Sequence, residues 1–438
     1  MTSRSAARPR GRNLGLPELI AIALGGMVGG GIFTILGFSV ARIGAFTLVA
    51  ICLGGLIAAS AAYAYIKLGV YYQDEGATYS FFKRTFPRSP FAASLIGWWV
   101  VFGYISTLAL YAFTFASYAL GGFGVAEDPI QRKLVAGVVL LLFTLINVWS
   151  VRGMGKVEDV MVYSKLVILA IISFVLINNS QTTLPVLFAQ QEGVSLMDVL
   201  IVASVTFVAY EGFQLVINAV KEIESPERQI PRAIYGAIFL AILIYVVIAL
   251  GAILAIPFED IVRNKEYALA AGAEGVLGNW GTELVIVGAL LATSSAISGT
   301  LFGASRQMAV IADDGYFPAL LSRRKERIPV AAVMLMSALA WLLVLASDLE
   351  VILEFGSVTF LLVSFLMGLA NFRIRNKTRS STLVTLLSMT ALLFGTVMIL
   401  WYEWQEQPLQ LLFIGGIYAL LTTLALLYSR FGRRNRYR

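Results

Sequence analysis

Apolar runs of membrane-spanning length follow one another along almost the whole chain, and few folds tolerate that pattern. A bilayer core of about 30 Å is crossed by roughly 20 apolar residues in helical form. The sequence supplies twelve such runs, at 17–41, 44–72, 91–121, 132–150, 157–178, 195–220, 231–256, 283–312, 330–346, 350–371, 381–402 and 408–429. Of the 438 residues, 58% are hydrophobic and 13% charged, against about 45–50% and about 25% in soluble domains. The expected fold class is therefore all-α integral membrane, with twelve transmembrane helices in a single transmembrane domain, 1–438.

Charge tests the count. With the N-terminus in the cytoplasm and loops alternating, 26 of the 33 Lys and Arg fall inside, five outside (Arg42, Arg132, Lys133, Arg263, Lys265) and two within spans (Lys67, Lys165). That asymmetry obeys the positive-inside rule and explains the net charge of +7 without nucleic acid as a partner. It predicts a multi-pass protein of the cell (plasma) membrane with both termini cytoplasmic. The basic start "RSAARPRGR" leads straight into a span-length segment with no small-residue cleavage site at signal-peptide distance, so that segment reads as a spanning helix. Long outer loops are expected near 179–194 and 257–282, the second holding a short surface helix in "PFEDIVRN".

What is missing narrows function. The chain has no histidine and one cysteine, Cys52. No intrachain disulfide, Cys/His zinc site or Ser-His-Asp triad can be built. A proton relay must use a carboxylate, a lysine or a tyrosine. There is no Walker sequence, no soluble domain of useful size and no ring-forming filter, which argues against an ATP-driven pump, an enzyme and a channel. No metal, sodium site or other cofactor is expected.

Two spans are poor helices. The first contains "GGMVGGGIF", Gly25 to Phe33. Glycine in a helix interior costs roughly 0.5–1 kcal/mol relative to alanine. Gly25–Gly29 and Gly26–Gly30 have the spacing of a small-residue packing face. Gly29, Gly30 and Gly31 are consecutive and cover all faces, which favours a break, and broken helices survive in lipid only where they line a cavity. The sixth span carries "FVAYEGFQLV", with Glu211 and Gly212 in its middle. A carboxylate at that depth is costly and marks either a structural polar pair or a functional site.

The two interrupted spans are separated by four others. Spans 1–5 (17–178) and 6–10 (195–371) then read as two repeats, the second inverted because each has an odd number of crossings, with spans 11 and 12 (381–429) added. Paired interruptions at corresponding places point to a transporter's binding site. Half-helix N-termini offer N–H groups to an anion, and freed carbonyls can hold a cation.

These residues resemble a known family. "GGMVGGGIF" is similar to the unwound first helix of amino acid–polyamine–organocation transporters. "FVAYEGFQLVINAVKEIESPERQIPRAI" resembles the family's sixth helix and following loop, and its "EIESPERQIPRAI" is close to the usual E-x-x-N-P-x-x-x-[IV]-P-x-A-I. "ATSSAISGTLFGASRQMAVIADDGYFP" resembles the eighth helix and its loop. The resemblance covers spans 1–12 in order. It implies the leucine-transporter fold: a 5+5 inverted repeat plus two C-terminal helices, with helices 1 and 6 unwound at mid-membrane.

The resemblance also implies site residues. A substrate carboxylate would meet the amides of Gly29, Gly30 and Gly31, beside Val28. Its amine would meet carbonyls of Met27 and of Val208, Ala209, Tyr210 and Glu211, next to Gly212, with Phe213 as an aromatic gate or as packing. Gly30 stands where relatives have serine, which removes one hydroxyl donor. Lys165 either snorkels or, as in proton-coupled prokaryotic relatives, places its amine where sodium-coupled members hold an ion. There it would meet the Gly25 carbonyl and a hydroxyl of Ser294 or Ser295. Lys67 is expected to snorkel. Gln214 is neutral where some antiporters have glutamate. Trp98, Trp99, Tyr104 and Tyr111 of span 3 read either as packing and interface residues or as part of the pocket wall.

The expected function is proton-coupled symport of amino acids by alternating access, with the proton as coupling ion. The alternative is carriage or exchange of cationic amines or polyamines with Glu211 as counter-ion. The expected partners are an amino acid or related amine and membrane lipid. Oligomeric state is left open.

Overall fold

The structure is a computed structural model that describes residues 14–74, 76–121, 128–149, 151–189, 193–264, 267–325 and 328–431. The basic residues before Leu14 and after Phe431 used in orienting the chain lie outside these. Long apolar runs bounded by Gly, Pro and polar residues become helices, and among the described residues there is no strand, only an isolated Lys325–Ile328 bridge.

In chain order the helices are α1 (Leu16–Met27), α2 (Gly30–Ile43), α3 (Thr47–Tyr72), α4 (Ala77–Thr85), α5 (Pro90–Gly121), α6 (Pro129–Trp149) and α7 (Val151–Asn178). There follow α8 (Leu184–Ala189), α9 (Leu196–Thr206), α10 (Leu215–Asn218), α11 (Pro226–Ala255), α12 (Phe258–Arg263) and α13 (Ala268–Asp313). The last are α14 (Val330–Ala346), α15 (Leu349–Arg373), α16 (Arg375–Thr378), α17 (Thr382–Glu406) and α18 (Pro408–Phe431).

Ten described helical stretches are long and apolar enough to cross a membrane. The twelve runs read from sequence differ from this at two places. The first run is split, leaving Leu16–Met27 as a short helix, while its second half, α2, is joined to α3 by a 3-10 turn at Gly44–Phe46, with Gly44 at φ 50°, so that Gly30–Tyr72 counts as one stretch. The ninth run forms a helix of 17 residues, Val330–Ala346, short of full span length. The two loops expected on the outside hold more structure than expected: α8 lies in the first, and in the second α12 is followed by the start of α13, bent at Gly278 where φ is 66°.

Local signals explain several boundaries. Ser195 and Asp198 form a reciprocal capping box that starts α9, satisfying amides that the helix leaves open. Pro226 opens α11 at its first turn, where a missing N–H costs nothing. Helices α5, α9 and α15 are central: α5 packs along α13 and α15, and α9 lies against α3 and α17. Helix α18 is peripheral and shows exposed leucines at 409, 412 and 420.

Candidate functional site

The glycine-rich stretch of the first run divides it. Helix α1 ends at Met27, Val28 turns to ψ 70°, Gly29 takes φ −110° and ψ −147°, and α2 begins at Gly30. The Gly29 amide donates to the Met27 carbonyl at 2.8 Å. Gly30 and Gly31 open α2, where first-turn amides have no carbonyl within the helix. In the sixth run α9 stops at Thr206 and a 3-10 turn covers Phe207–Tyr210. Glu211 is then extended, Gly212 has φ 129°, and helix resumes at Leu215.

The two interruptions touch. A Cβ on Gly212 would stand 2.6 Å from the carbonyl carbon of Gly26, and one on Gly31 would stand 3.1 Å from Cα of Ala209. Tyr245, from the middle of α11, ties them together. Its hydroxyl lies 2.6 Å from the Met27 carbonyl oxygen and 2.8 Å from that of Ala209, so its single proton is shared between one acceptor from each interruption. Its ring packs against Tyr210 at 5.2 Å, and the Tyr210 hydroxyl donates to the Ile51 carbonyl of α3 at 2.8 Å.

Against this junction lies a cavity of about 940 Å³. Its inner walls are Gly25 and Gly26 of α1, Tyr104, Thr107 and Tyr111 of α5, Glu211 and Gly212, and Ser295 and Ala296 of α13. From there it follows α1 to Glu18 and α13 to Arg306 and reaches exposed Arg324.

Glu211 is buried in that wall. One carboxylate oxygen accepts from the Gln214 amide, which also donates to the Tyr104 hydroxyl at 3.1 Å, while the Gln214 carbonyl accepts from the Gly212 N–H at 3.1 Å. The other oxygen, Oε2, has no hydrogen-bond partner among the described residues. Buried polar atoms are seldom left so.

Lys165 of α7 is 0% exposed. Its ammonium donates to the Gly25 carbonyl at 3.1 Å and to Ser295 Oγ at 2.8 Å, joining α1, α7 and α13. Ser294, one position earlier, is half-buried, and Ser295 is the serine at hydrogen-bond distance.

The residues named from sequence divide into two groups. Gly25, Glu211, Gly212 and Ser295 line the cavity, and Lys165 sits behind its wall on two of them. Met27, Val28, Gly29, Gly30, Gly31, Val208, Ala209, Tyr210 and Phe213 are buried but are not among its walls. Gly29 faces Ala296 and Tyr111, and Gly30 faces Thr293 and Thr114. Phe213 packs edge-on against Tyr65 at 5.4 Å. Tyr245 already engages the Met27 and Ala209 carbonyls. Lys67 reaches the Arg379 carbonyl at 3.1 Å.

Sequence reading missed Tyr245 and Thr107 and left Tyr104 and Tyr111 between packing and pocket wall; both line the cavity. A signal for Tyr245 was there: a lone hydroxyl inside the aliphatic "LAILIYVVIAL" must find an acceptor at that depth.

Comparison with known proteins agrees with the architecture. The chain is 27% identical over 419 residues to the inner membrane transport protein YbaT of Escherichia coli, covering 95% of this chain and 96% of that one. It is 26% identical over 431 residues to the chloroplastic cationic amino acid transporter 7 of Arabidopsis thaliana, covering 91% and 71%. It is 24% identical over 381 residues to the branched-chain amino acid permease BcaP of Bacillus subtilis, covering 81% and 79%. The family profile described as amino acid permease matches residues 14–428. Matched over nearly its whole length, the chain belongs to the amino acid permease family, within the amino acid–polyamine–organocation superfamily of transporters.

Proposed function

We propose that this transporter is a proton-coupled symporter of amino acids that works by alternating access. The observation that carries the proposal is the buried Lys165 ammonium, which bridges the Gly25 carbonyl at the end of α1 and Ser295 of α13. A fixed cation there holds the carbonyl end of a broken helix as a bound metal ion would. Losing its proton removes that attraction and loosens α1 from α13.

In this reading α1 and α2 together make one crossing and α14 another, giving twelve. The fold is then the leucine-transporter fold, with repeats at 17–178 and 195–371, unwound first and sixth helices at mid-membrane, and both termini in the cytoplasm of a plasma-membrane protein. The cavity leads from the two interruptions toward Arg306 and Arg324, the face where basic residues concentrate, which corresponds to an inward-facing state. Gly29, Gly30 and Gly31 are buried outside the cavity wall in this state, packed against Ala296 and Tyr111, Thr293 and Thr114, and Ala209 respectively. A carboxylate reaches them only after α2 and α5 part.

The test is uptake into proteoliposomes under an imposed proton gradient. Lys165→Ala abolishes gradient-driven uptake while retaining substrate binding in a thermal-shift measurement. Unchanged uptake by the variant removes Lys165 from coupling, and a strict requirement for sodium removes the proton.

A second reading, transport of cationic amino acids or amines, rests on Glu211 Oε2, a buried and unpartnered carboxylate oxygen in the cavity wall. Among the relatives, one is a cationic amino acid transporter by name and another a branched-chain permease.

A further inference from the structure

A second cavity, of about 770 Å³, shares no lining residue with the first and lies where the end of α3, the α4–α5 turn and the α15–α16 junction meet. Arg84, Arg88, Arg373 and Lys377 line it, and among the described residues no carboxylate does. Arg84 is neutralised by Asp74, with Nη2 to Oδ2 at 2.5 Å. Arg88, Arg373 and Lys377 form no ion pair with a carboxylate among the described residues.

Two separate chain segments therefore bring three cations without a carboxylate partner among the described residues to one hollow. Like charges around a shared space repel, and an anion in that space reverses the sign of the interaction. The donors suit a phosphate. Two guanidinium forks can each give parallel hydrogen bonds to phosphate oxygens, and the lysine adds a mobile point charge. Ser89, Thr85 and Asn376 supply further polar atoms in the lining. The Arg373 guanidinium is steadied over the Phe86 ring, 5.1 Å from its centroid.

The position selects the source of the phosphate. The cavity sits at the ends of three membrane-length helices, α3, α5 and α15, which is the depth of lipid headgroups. Tyr71 at its edge is 43% exposed and packs edge-on against Tyr72 at 4.9 Å, the amphipathic aromatic arrangement favoured at a membrane–water interface. Basic pockets between helix ends recognise anionic headgroups.

We propose that this cavity binds the phosphate of an anionic phospholipid, with Arg88, Arg373 and Lys377 as its ligands. It stands independently of the substrate and of the coupling ion.

The test uses the full chain purified in detergent, supplied with phosphatidylglycerol or phosphatidylcholine and examined by native mass spectrometry for retained lipid. The wild type retains phosphatidylglycerol in preference to phosphatidylcholine. Arg88→Gln and Lys377→Gln, both at exposed positions, each weaken that retention several-fold, and with Arg373→Gln added the preference disappears. A charge-matched control, Arg228→Gln with Arg232→Gln and Arg323→Gln at exposed sites elsewhere, leaves it intact. Equal retention by the wild type and the pocket variants overturns the proposal. So does displacement of the lipid by millimolar inorganic phosphate, which would make the ligand a soluble anion. Size-exclusion profiles of the single variants separate lost binding from lost folding.

Discussion

Gly26 and Gly212 meet backbone to backbone: the position of a Cβ on Gly212 is 2.6 Å from the carbonyl carbon of Gly26, and the position of one on Gly26 is 3.2 Å from Cα of Gly212. Each glycine is the condition for the other's approach. This contact lets two interrupted helices share one junction, which lines the cavity at Gly26 and Gly212 and is bridged by Tyr245 at Met27 and Ala209.

Gly212→Ala therefore fails twice. Its φ of 129° lies in the region L-residues avoid, and the left-handed conformation alone costs ~1–2 kcal/mol. The added methyl also enters the Gly26 backbone. Uptake normalised to membrane-inserted protein falls at least tenfold. Gly415→Ala, where no atom lies within 4 Å of the new methyl, is the control and retains uptake. Equal activity of both variants would falsify the junction.

Ser295 and Ser294 separate a contact from mere proximity. Ser295 accepts from Lys165 at 2.8 Å. A hydrogen bond to a charged group contributes ~1.5–3 kcal/mol, so Ser295→Ala weakens the hold of α13 on the ammonium and lowers gradient-driven uptake about tenfold. Ser294→Ala leaves uptake unchanged. A larger loss at Ser294 would contradict the geometry.

Much of this was legible in sequence because membranes impose simple rules. Span length and the Lys/Arg asymmetry set the helical class, and consecutive glycines at 29–31 together with Glu211–Gly212 marked where helices stop. The finer outcome was not legible. Glycine content does not say which residue leaves the helix, and here Val28 and Gly29 do so while Gly30 and Gly31 rejoin α2. Nor does sequence say which freed carbonyl faces the cavity. Tyr245 and Met27 are separated by 218 positions, and no local pattern links them. The conformational state is equally absent from the sequence, yet it decides that Gly29 and Gly30 are buried outside the cavity wall while Gly25 and Gly26 line it.

Tyr245→Phe keeps the ring and removes the one hydroxyl proton shared by Met27 and Ala209. Leaving a buried carbonyl without a donor costs ~1–3 kcal/mol. Met27 keeps a second donor in the Gly29 amide, so the loss falls mainly on Ala209. The variant unfolds at a lower temperature in detergent, and its uptake rate drops because the two interruptions are no longer held in register. A melting temperature equal to that of the wild type would show that the hydroxyl is not a clamp.

Glu211 decides between the two substrate readings. Its Oε1 is committed to Gln214, whereas Oε2 lies buried in the cavity wall without a partner among the described residues. If a cationic side chain or amine completes that oxygen, Glu211→Gln removes a charge-assisted contact worth about tenfold to over a hundredfold in affinity, ~1.5–3 kcal/mol. Neutral amino acids would lose little, because Gln preserves the shape and an acceptor toward Gln214. Competition of lysine, arginine and putrescine against leucine in the same uptake measurement reads the difference directly. A selective loss of the cationic competitors assigns Oε2 to the substrate. Equal loss for cationic and neutral competitors places Glu211 in the coupling or folding of the site, and the symport of neutral amino acids is then the reading that stands.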